Sequence, residues 1–533
     1  MPWAWRELHD GDQGALWAGQ SPHLLCLTPP ESSSGSSAEE GTPDRSAEAS
    51  SPAYLLGLAG GYYVEDFGGA DCHQICDAVI LEWAGETQGL RSIYAVDQYG
   101  EPHPKLHGAA KAALPDGSFL FFGGGNPAGS TNALTRLSVH PALRQPRPDP
   151  QEVRRLLDPA APGSTWVAIQ QPDGSTSLAV PGQSRLPLGW SSFSVEGGPS
   201  PAPRHGLHAT IHPASGDFLI FGGRGDARSP GCFNDLWALT VTGDHGRWKQ
   251  VAGRGTPPPP KVWYGAVATR SGMWVIYGGS QWQFEEDSAM DRGVVYILAL
   301  QTLVWSSFTP AAVSPMPELV VACALVESGN SILVLGGCMP HRLHSVTRER
   351  ATAFQLCPNW YVPLTQVWHF DIAAAADSGT ARWELEDAAA NEVPEPGDTT
   401  LRSHLAAVAA PGAASASGTA GPRALVFGGS RYFTGAYFHD LLELRHEASS
   451  VVTREARETD STRRSLWQRL RSGSARNEGA SGAATPPRRS SLDRLRASGS
   501  RRGSRSGERT GAATGQRGRA GRLRAMARDG LMQ

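Results

Sequence analysis

FLIFGGRGDARSPGCFNDLWALTVTGDHGRWKQV, residues 218–251, is the stretch that decides the fold. Four apolar residues run straight into Gly222-Gly223. A polar loop follows, then a second apolar run carrying Leu236, Trp237 and Leu239, then Trp248 with Val251 three positions on. A run that is apolar at successive rather than alternate positions belongs to a strand covered on both faces. Paired glycines at its end supply positive φ and let another backbone come close.

The unit recurs, and a recurring unit outranks any single motif in deciding architecture. Apolar runs also end in Gly60-Gly61, Gly123-Gly124, Gly278-Gly279, Gly336-Gly337 and Gly428-Gly429. Each is followed by a polar loop and a further strand-like run, beginning near Asp77, Asn132, Asn234, Gly293, Thr365 and His439. A fourth strand reads as Ile93/Val96, Trp190/Phe193, Trp248/Val251 and Trp305/Phe308, with a partial match at Trp383, where Glu386 takes the last position. The sixth unit has no such strand after Leu444, whereas Trp5-Arg6-Glu7-Leu8 fits the pattern, which predicts a closed ring. Pro-rich turns precede the first strands, at Pro102–Gly108, Pro199–Gly206, Pro257–Gly265 and Pro315–Val320.

Apolar-Gly-Gly, a strand with Asp-Leu-Trp, Trp-x-x-Val and Pro-x-x-Arg-His-Gly together resemble the kelch repeat, within the superfamily of galactose-oxidase-like central propellers. The resemblance covers roughly residues 3–445, is sharpest in the third and fourth units, and is weakest in the first, where Ile93 replaces the tryptophan. It implies an all-β, six-bladed β-propeller around a central channel, closed by the N-terminal strand. The glycine pairs of units three to five are about 57 residues apart, and the longer intervals hold insertions. These are expected at 29–52, 141–185, 338–364 and 410–422, with a short helix at Pro150–Leu157.

Composition agrees with many short strands and turns: 533 residues, 62 Gly, 40 Pro and 40% hydrophobic. There is no basic stretch leading into an apolar one at the N-terminus and no apolar run of about 18 residues, so neither a secretory leader nor a transmembrane segment is expected. Seven scattered cysteines, an odd number, read as reduced thiols of an intracellular protein in the cytoplasm or nucleus. The net charge of −3 hides an asymmetry: residues 446–533 carry 20 Arg, no Lys and 8 acidic residues, net +12, which leaves −15 for the rest. That Arg/Ser-rich tail is expected to be disordered. Within it Ser465, Ser490, Ser491 and Ser504 follow paired or near-paired arginines, resembling basophilic-kinase sites, where phosphate would cancel local charge. Nucleic acid or anionic membrane binding by the tail is possible chemistry but is not favoured, because no folded reader accompanies it.

In a four-stranded meander, the loops after strands two and four open on one face. That face is expected to bind a protein or peptide through Arg224, Asp226, Trp282, Glu285, Arg431, Tyr432 and Phe433, with Arg204 contributed by a Pro-rich turn. Lys105, Lys261, Trp360, Tyr361, Tyr437 and Phe438 belong to the same face. Aromatics beside charges are the residue types that dominate protein interfaces. Chemistry has less support. Cys72-His73-x-x-Cys76 lacks the second ligand pair of a structural zinc site. The tyrosine, histidine and crosslinked cysteine of the copper oxidases that share the propeller cannot be assigned. No catalytic residue, metal or cofactor is therefore expected, and the reading is a non-catalytic interaction scaffold. The alternative is a propeller enzyme or small-ligand binder that uses the central channel.

Overall fold

The computed structural model describes residues 3–9, 22–28, 52–60, 62–64, 72–74, 78–84, 89–96, 99–100, 107–126, 129–158, 167–170, 176–179, 187–226, 231–281, 291–310, 315–317, 320–339, 361–392, 401–411, 423–431 and 436–446. The chain divides into two units, Met1–Ala448 and Ser449–Gln533, and the strands lie in the first.

The chain opens with β1 (Trp3–His9). Blade one is β2 (His23–Cys26), β3 (Ala53–Leu58), β4 (Ala78–Trp83) and β5 (Leu90–Val96). Blade two is β6 (Ala110–Ala113), β7 (Phe119–Phe122), β8 (Leu134–Val139) and β9 (Leu188–Ser192). Blade three is β10 (His208–Ile211), β11 (Phe218–Phe221), β12 (Leu236–Thr242) and β13 (His245–Val251). Blade four is β14 (Gly265–Ala268), β15 (Met273–Tyr277), β16 (Val295–Ala299) and β17 (Val304–Phe308). Blade five is β18 (Ala324–Ser328), β19 (Ser331–Leu335), β20 (Gln366–Asp371) and β21 (Trp383–Glu392). Blade six is β22 (Ala406–Ala409), β23 (Arg423–Arg431) and β24 (Ala436–His446), and its fourth strand is β1. All six blades are antiparallel meanders running from the inner strand outward.

The fourth-strand tryptophans hold neighbouring blades together. Trp248 of blade three meets Phe122 of blade two at 5.2 Å, Trp305 of blade four meets Phe221 of blade three at 5.0 Å, and Trp383 of blade five meets Tyr277 of blade four at 4.8 Å. The partner in each pair is the last residue before the glycine pair. A tilted or edge-on pair of this kind is worth about 0.5–1.5 kcal/mol beyond the apolar area it buries.

The glycines themselves face the next blade's turn. Gly124, Gly223, Gly279 and Gly337 each donate an amide hydrogen bond at 2.9 Å, to the carbonyls of Arg204, Lys261, Val320 and Arg402 respectively. The first glycine of the pair sits against that same carbonyl: a Cβ on Gly123 would lie 2.5 Å from Arg204 O, and φ there is +74°. A side chain would push the neighbouring blade away, so the pair recurs in every unit.

Two further backbone systems close the ring. Near the axis, Gly206 N–H donates to Gly108 O at 2.8 Å, Trp263 N–H to Gly206 O at 2.9 Å, Ala322 N–H to Trp263 O at 2.6 Å and His404 N–H to Ala322 O at 2.8 Å. This belt joins blades two to six two residues before each inner strand begins to pair, and all five residues have positive φ. At the periphery, the fourth strands of blades one to four are each continued by a short segment that pairs in parallel with the next blade's fourth strand. Tyr99–Gly100 joins β9, Ser194–Val195 joins β13, Arg254–Gly255 joins β17, and Pro310 bridges Ala381 ahead of β21. By the same rule β21 pairs in parallel with β1, Trp3 opposite Ala388 and Ala4 opposite Ala389. On its other edge β1 is antiparallel to β24, with Trp5 opposite Leu444. The expected closure by the N-terminal strand is thus a double latch.

The helix expected at 150–157 is α1 (Pro150–Leu157). Asp149 caps it by accepting the Gln151 N–H at 2.9 Å, and Pro150 occupies its first turn, where a missing N–H is harmless. Val153, Leu156 and Leu157 form its apolar face, in one cluster with Leu27 and Tyr54 of blade one. Elements beyond those the sequence predicts include a hairpin of Val167–Gln170 with Thr176–Ala179 inside the 141–185 insertion, a hairpin of Tyr62–Val64 with Cys72–Gln74, and α2 (Ile372–Ser378) between β20 and β21.

Candidate recognition face and channel mouth

The residue before each belt position pairs with the residue after a glycine pair: His107 with Gly125, His205 with Arg224, Val262 with Ser280, Val321 with Cys338 and Ser403 with Ser430. Pro-rich turns and post-glycine segments therefore meet around one mouth of the channel. The sequence placed them on a common face.

The turn cations have a different place. Arg204 was expected on the binding surface, but it is 1% exposed and bonded to Asp235 in a fork, Nη1 to Oδ1 at 2.6 Å and Nη2 to Oδ2 at 3.0 Å. It also donates to Gly222 O at 3.0 Å, and its guanidinium lies 3.9 Å from the Phe233 ring centroid. Lys261 repeats the arrangement with Asp291 at 3.0 Å, Gly278 O at 3.1 Å and the Tyr296 ring at 4.7 Å. So does Arg402, with Asp440 at 2.5 and 2.9 Å, Gly428 O at 3.1 Å and the Phe438 ring at 4.0 Å. Each cation ties the turn before an inner strand to the glycine pair and to an aspartate, which precedes the third strand in blades three and four and lies within it in blade six. Burial of these cations has a simple cause: the fork needs both an aspartate and a carbonyl brought from elsewhere in the chain, and once paired the charge tolerates burial.

Arg224 and Asp226 are partly exposed at the seam of blades two and three. Arg224 exchanges two backbone hydrogen bonds of 2.9 Å with His205. Asp226 leans over the turn of blade two, where a Cβ on Gly129 would be 3.4 Å from its Oδ2. Ser130, in that turn, shares a 2.8 Å hydrogen bond with His205 Nδ1. Arg431 ends β23 opposite Ala436, and its side chain lies outside the described residues. Trp282, Glu285, Tyr432 and Phe433 lie outside them too, as do Ser465, Ser490, Ser491 and Ser504. Among the described residues no group of His, Cys, Asp and Glu is arranged to hold a metal ion. No described helix is long and apolar enough to cross a membrane.

Sequence reasoning missed the centre of the mouth. Trp263 occupies the belt position held by Gly108 and Gly206 in blades two and three. Its φ is +56°, a conformation that costs a bulky residue on the order of 1–2 kcal/mol. Its indole covers both glycines: a Cβ on Gly206 would lie 3.1 Å from Trp263 Cδ2. Around it stand His404 at 4.8 Å, His107 at 5.0 Å and His205 at 5.7 Å between ring centroids. The signal was legible in the turns, since Pro-Lys-Val-Trp carries its tryptophan where Pro-Arg-His-Gly carries a glycine.

Burial pushes the imidazoles of His205 and His404 from the ordinary 6.5 down to about 4, and drives His107 well below its usual range, with the neighbouring histidines adding to the effect. These rings are neutral in the folded protein and protonate once it unfolds. The unfolded state therefore binds more protons between about pH 4 and 6.5, and stability rises with pH across that window. Melting temperatures measured over that range should climb towards neutrality, with a shallower slope for His205→Gln; equal slopes would contradict the assignment.

The KLHDC2/KLHL20/DRC7 Kelch-repeats domain matches residues 185–342, from the fourth strand of blade two into the segment after the glycine pair of blade five. Residues 185–342 are kelch repeats within a six-bladed β-propeller. The chain is also similar to Adagio protein 3 of Arabidopsis thaliana, 37% identical over 71 residues, which are 13% of this chain and 11% of that one. The chain thus matches about a tenth of that relative's length.

Proposed function

We propose that this kelch propeller is a non-catalytic interaction scaffold that binds a protein or peptide through the face formed by its Pro-rich turns and post-glycine segments. The observation that carries the reading is Trp263. A partly exposed indole held in a left-handed turn at the middle of that face, with Arg224 and Asp226 at its rim, is the arrangement of a central anchor with a polar border. Strain of this kind persists where the surroundings enforce it and where the side chain serves a purpose. The histidines behind the indole are neutral, so the floor is aromatic rather than charged.

The test uses glycine, the residue that blades two and three already carry there. A partner recovered by crosslinking to the full chain should lose roughly 30-fold in affinity with Trp263→Gly, corresponding to a hot spot of about 2 kcal/mol. It should change less than about twofold with Arg247→Glu, on the exposed outer strand β13. The opposite ranking would move the binding surface away from this face. The tail serines, if phosphorylated, would regulate by cancelling arginine charge.

A further inference from the structure

The chain holds four lysines, Lys105, Lys111, Lys249 and Lys261, against 44 arginines. Lys249 is exposed on β13 and Lys261 is buried in its ion pair with Asp291, while Lys105 lies outside the described residues. Lys111 is unlike any of these. It is the second residue of β6, on the inner strand of blade two that borders the channel, and it pairs across to Phe121. At the same register the other blades place Leu24, Ala209, Ala266, Leu325 and Ala407. One amine therefore interrupts an aliphatic tier, and Ala209, Ala266 and Ala407 in that tier are themselves partly exposed. The Phe121 ring beside it meets His23 edge-on at 5.6 Å, and the charge of Lys111 reaches His208 of blade three, where it disfavours protonation of that imidazole.

The comparison with Lys261 shows what Lys111 is not. A structural cation of this fold has an aspartate, a carbonyl and an aromatic face, and two of the three such sites use arginine. Among the described residues Lys111 makes no hydrogen bond or ion pair, yet it is partly exposed, so solvent in the channel reaches it. An arginine there would remain charged at any physiological pH, whereas a lysine can give up its proton.

We propose that Lys111 is a nucleophilic amine of the central channel that captures a small apolar aldehyde as an imine. The neutral amine adds its lone pair to the carbonyl carbon, and a proton passes from nitrogen to oxygen to give the carbinolamine. Loss of water then leaves the C=N bond, and water reverses it, with no oxidant or reductant required. The partly exposed alanines of the tier present an aliphatic surface that suits an alkyl chain. This site is separate from the face proposed above and does not depend on it.

Burial pushes the Lys111 ammonium from 10.5 down to about 8. Near neutral pH that leaves on the order of a tenth to a fifth of the amine neutral, against about one part in a thousand for an exposed lysine. The weaker nucleophilicity of a less basic amine offsets part of this, so an advantage of about tenfold in rate remains.

The test treats the full chain with hexanal and sodium cyanoborohydride near neutral pH and follows hexyl addition at each lysine by peptide mass spectrometry. Lys111 should be modified about tenfold faster than Lys249, with imine formation half-maximal near pH 8, and Lys261 should be spared. Lys111→Arg should abolish the fast phase and leave the Lys249 rate unchanged. Modification of Lys111 no faster than that of Lys249, or protection like that of Lys261, would overturn the proposal.

Discussion

Deletion of residues 1–10 from the full chain is expected to lower the melting temperature by roughly 3–5 °C. The segment contributes a whole strand. β1 pairs antiparallel with β24 from Trp3 opposite His446 to His9 opposite Leu441, and parallel with β21 at Trp3, Ala4 and Arg6. Its loss exposes the backbone of both partners and leaves Leu8 missing from the cluster of Leu24, Leu81, Leu425 and Leu441 at the junction of blades one and six. A ring differs from an open stack because every blade has two neighbours, so removing one strand opens two seams together. Loss of a few kcal/mol in a domain of this size shifts the midpoint by the stated amount. A synthetic peptide of residues 1–10 should restore it in a concentration-dependent way. An unchanged midpoint would show that the strand is not what closes the ring.

The second large effect is expected at Arg402. Its guanidinium is fully buried, forked onto Asp440, bonded to Gly428 O and stacked on Phe438. Asp440→Ala strands the cation among apolar neighbours, and Arg402→Met strands the carboxylate. Either should cost about 3–5 kcal/mol, because an uncompensated buried charge is left behind. The double variant Arg402→Met/Asp440→Leu should be less destabilised than the sum of the two, since replacing a buried pair by apolar groups of similar size is often close to neutral. For contrast, Arg136 bonds Asp244 at 2.7 Å with the aspartate side chain 92% exposed, and Asp244→Asn should change stability by less than about 1 kcal/mol. Denaturant midpoints of the four variants decide the matter; equal costs at the buried and exposed pairs would refute the role given to Arg402.

Much of the scaffold was written in local sequence. An apolar run ending in Gly-Gly has few alternatives to a covered strand meeting a neighbouring backbone, and contact of Gly123 with Arg204 O supplies the reason. The spacing of Trp248, Trp305 and Trp383 announced fourth strands because each must reach back to the preceding blade. The helix at 150–157 was legible from Asp-Pro followed by Val153, Leu156 and Leu157 on one face. Legibility failed where a residue's fate depended on distant partners. A cation in a Pro-rich turn reads as exposed until Asp235, 31 residues on, is brought to it. The axial belt and the peripheral latches run through backbone atoms, which leave no mark on side-chain identity. Trp263 and Lys111 become conspicuous only against the residues that share their register in other blades, Gly206 in one case and Ala209, Ala266 and Ala407 in the other.

By itself, then, the chain's order of apolar runs, glycine pairs and tryptophans determined a six-unit propeller closed by its first strand, because those requirements are local and repeat with the blade. The tertiary structure alone decided that Arg204, Lys261 and Arg402 serve the interior and that Trp263 stands at the channel mouth. It also set Lys111 without a carboxylate beside the axis. Exposure and pairing are properties of where blades meet, and a single repeat does not contain its neighbour.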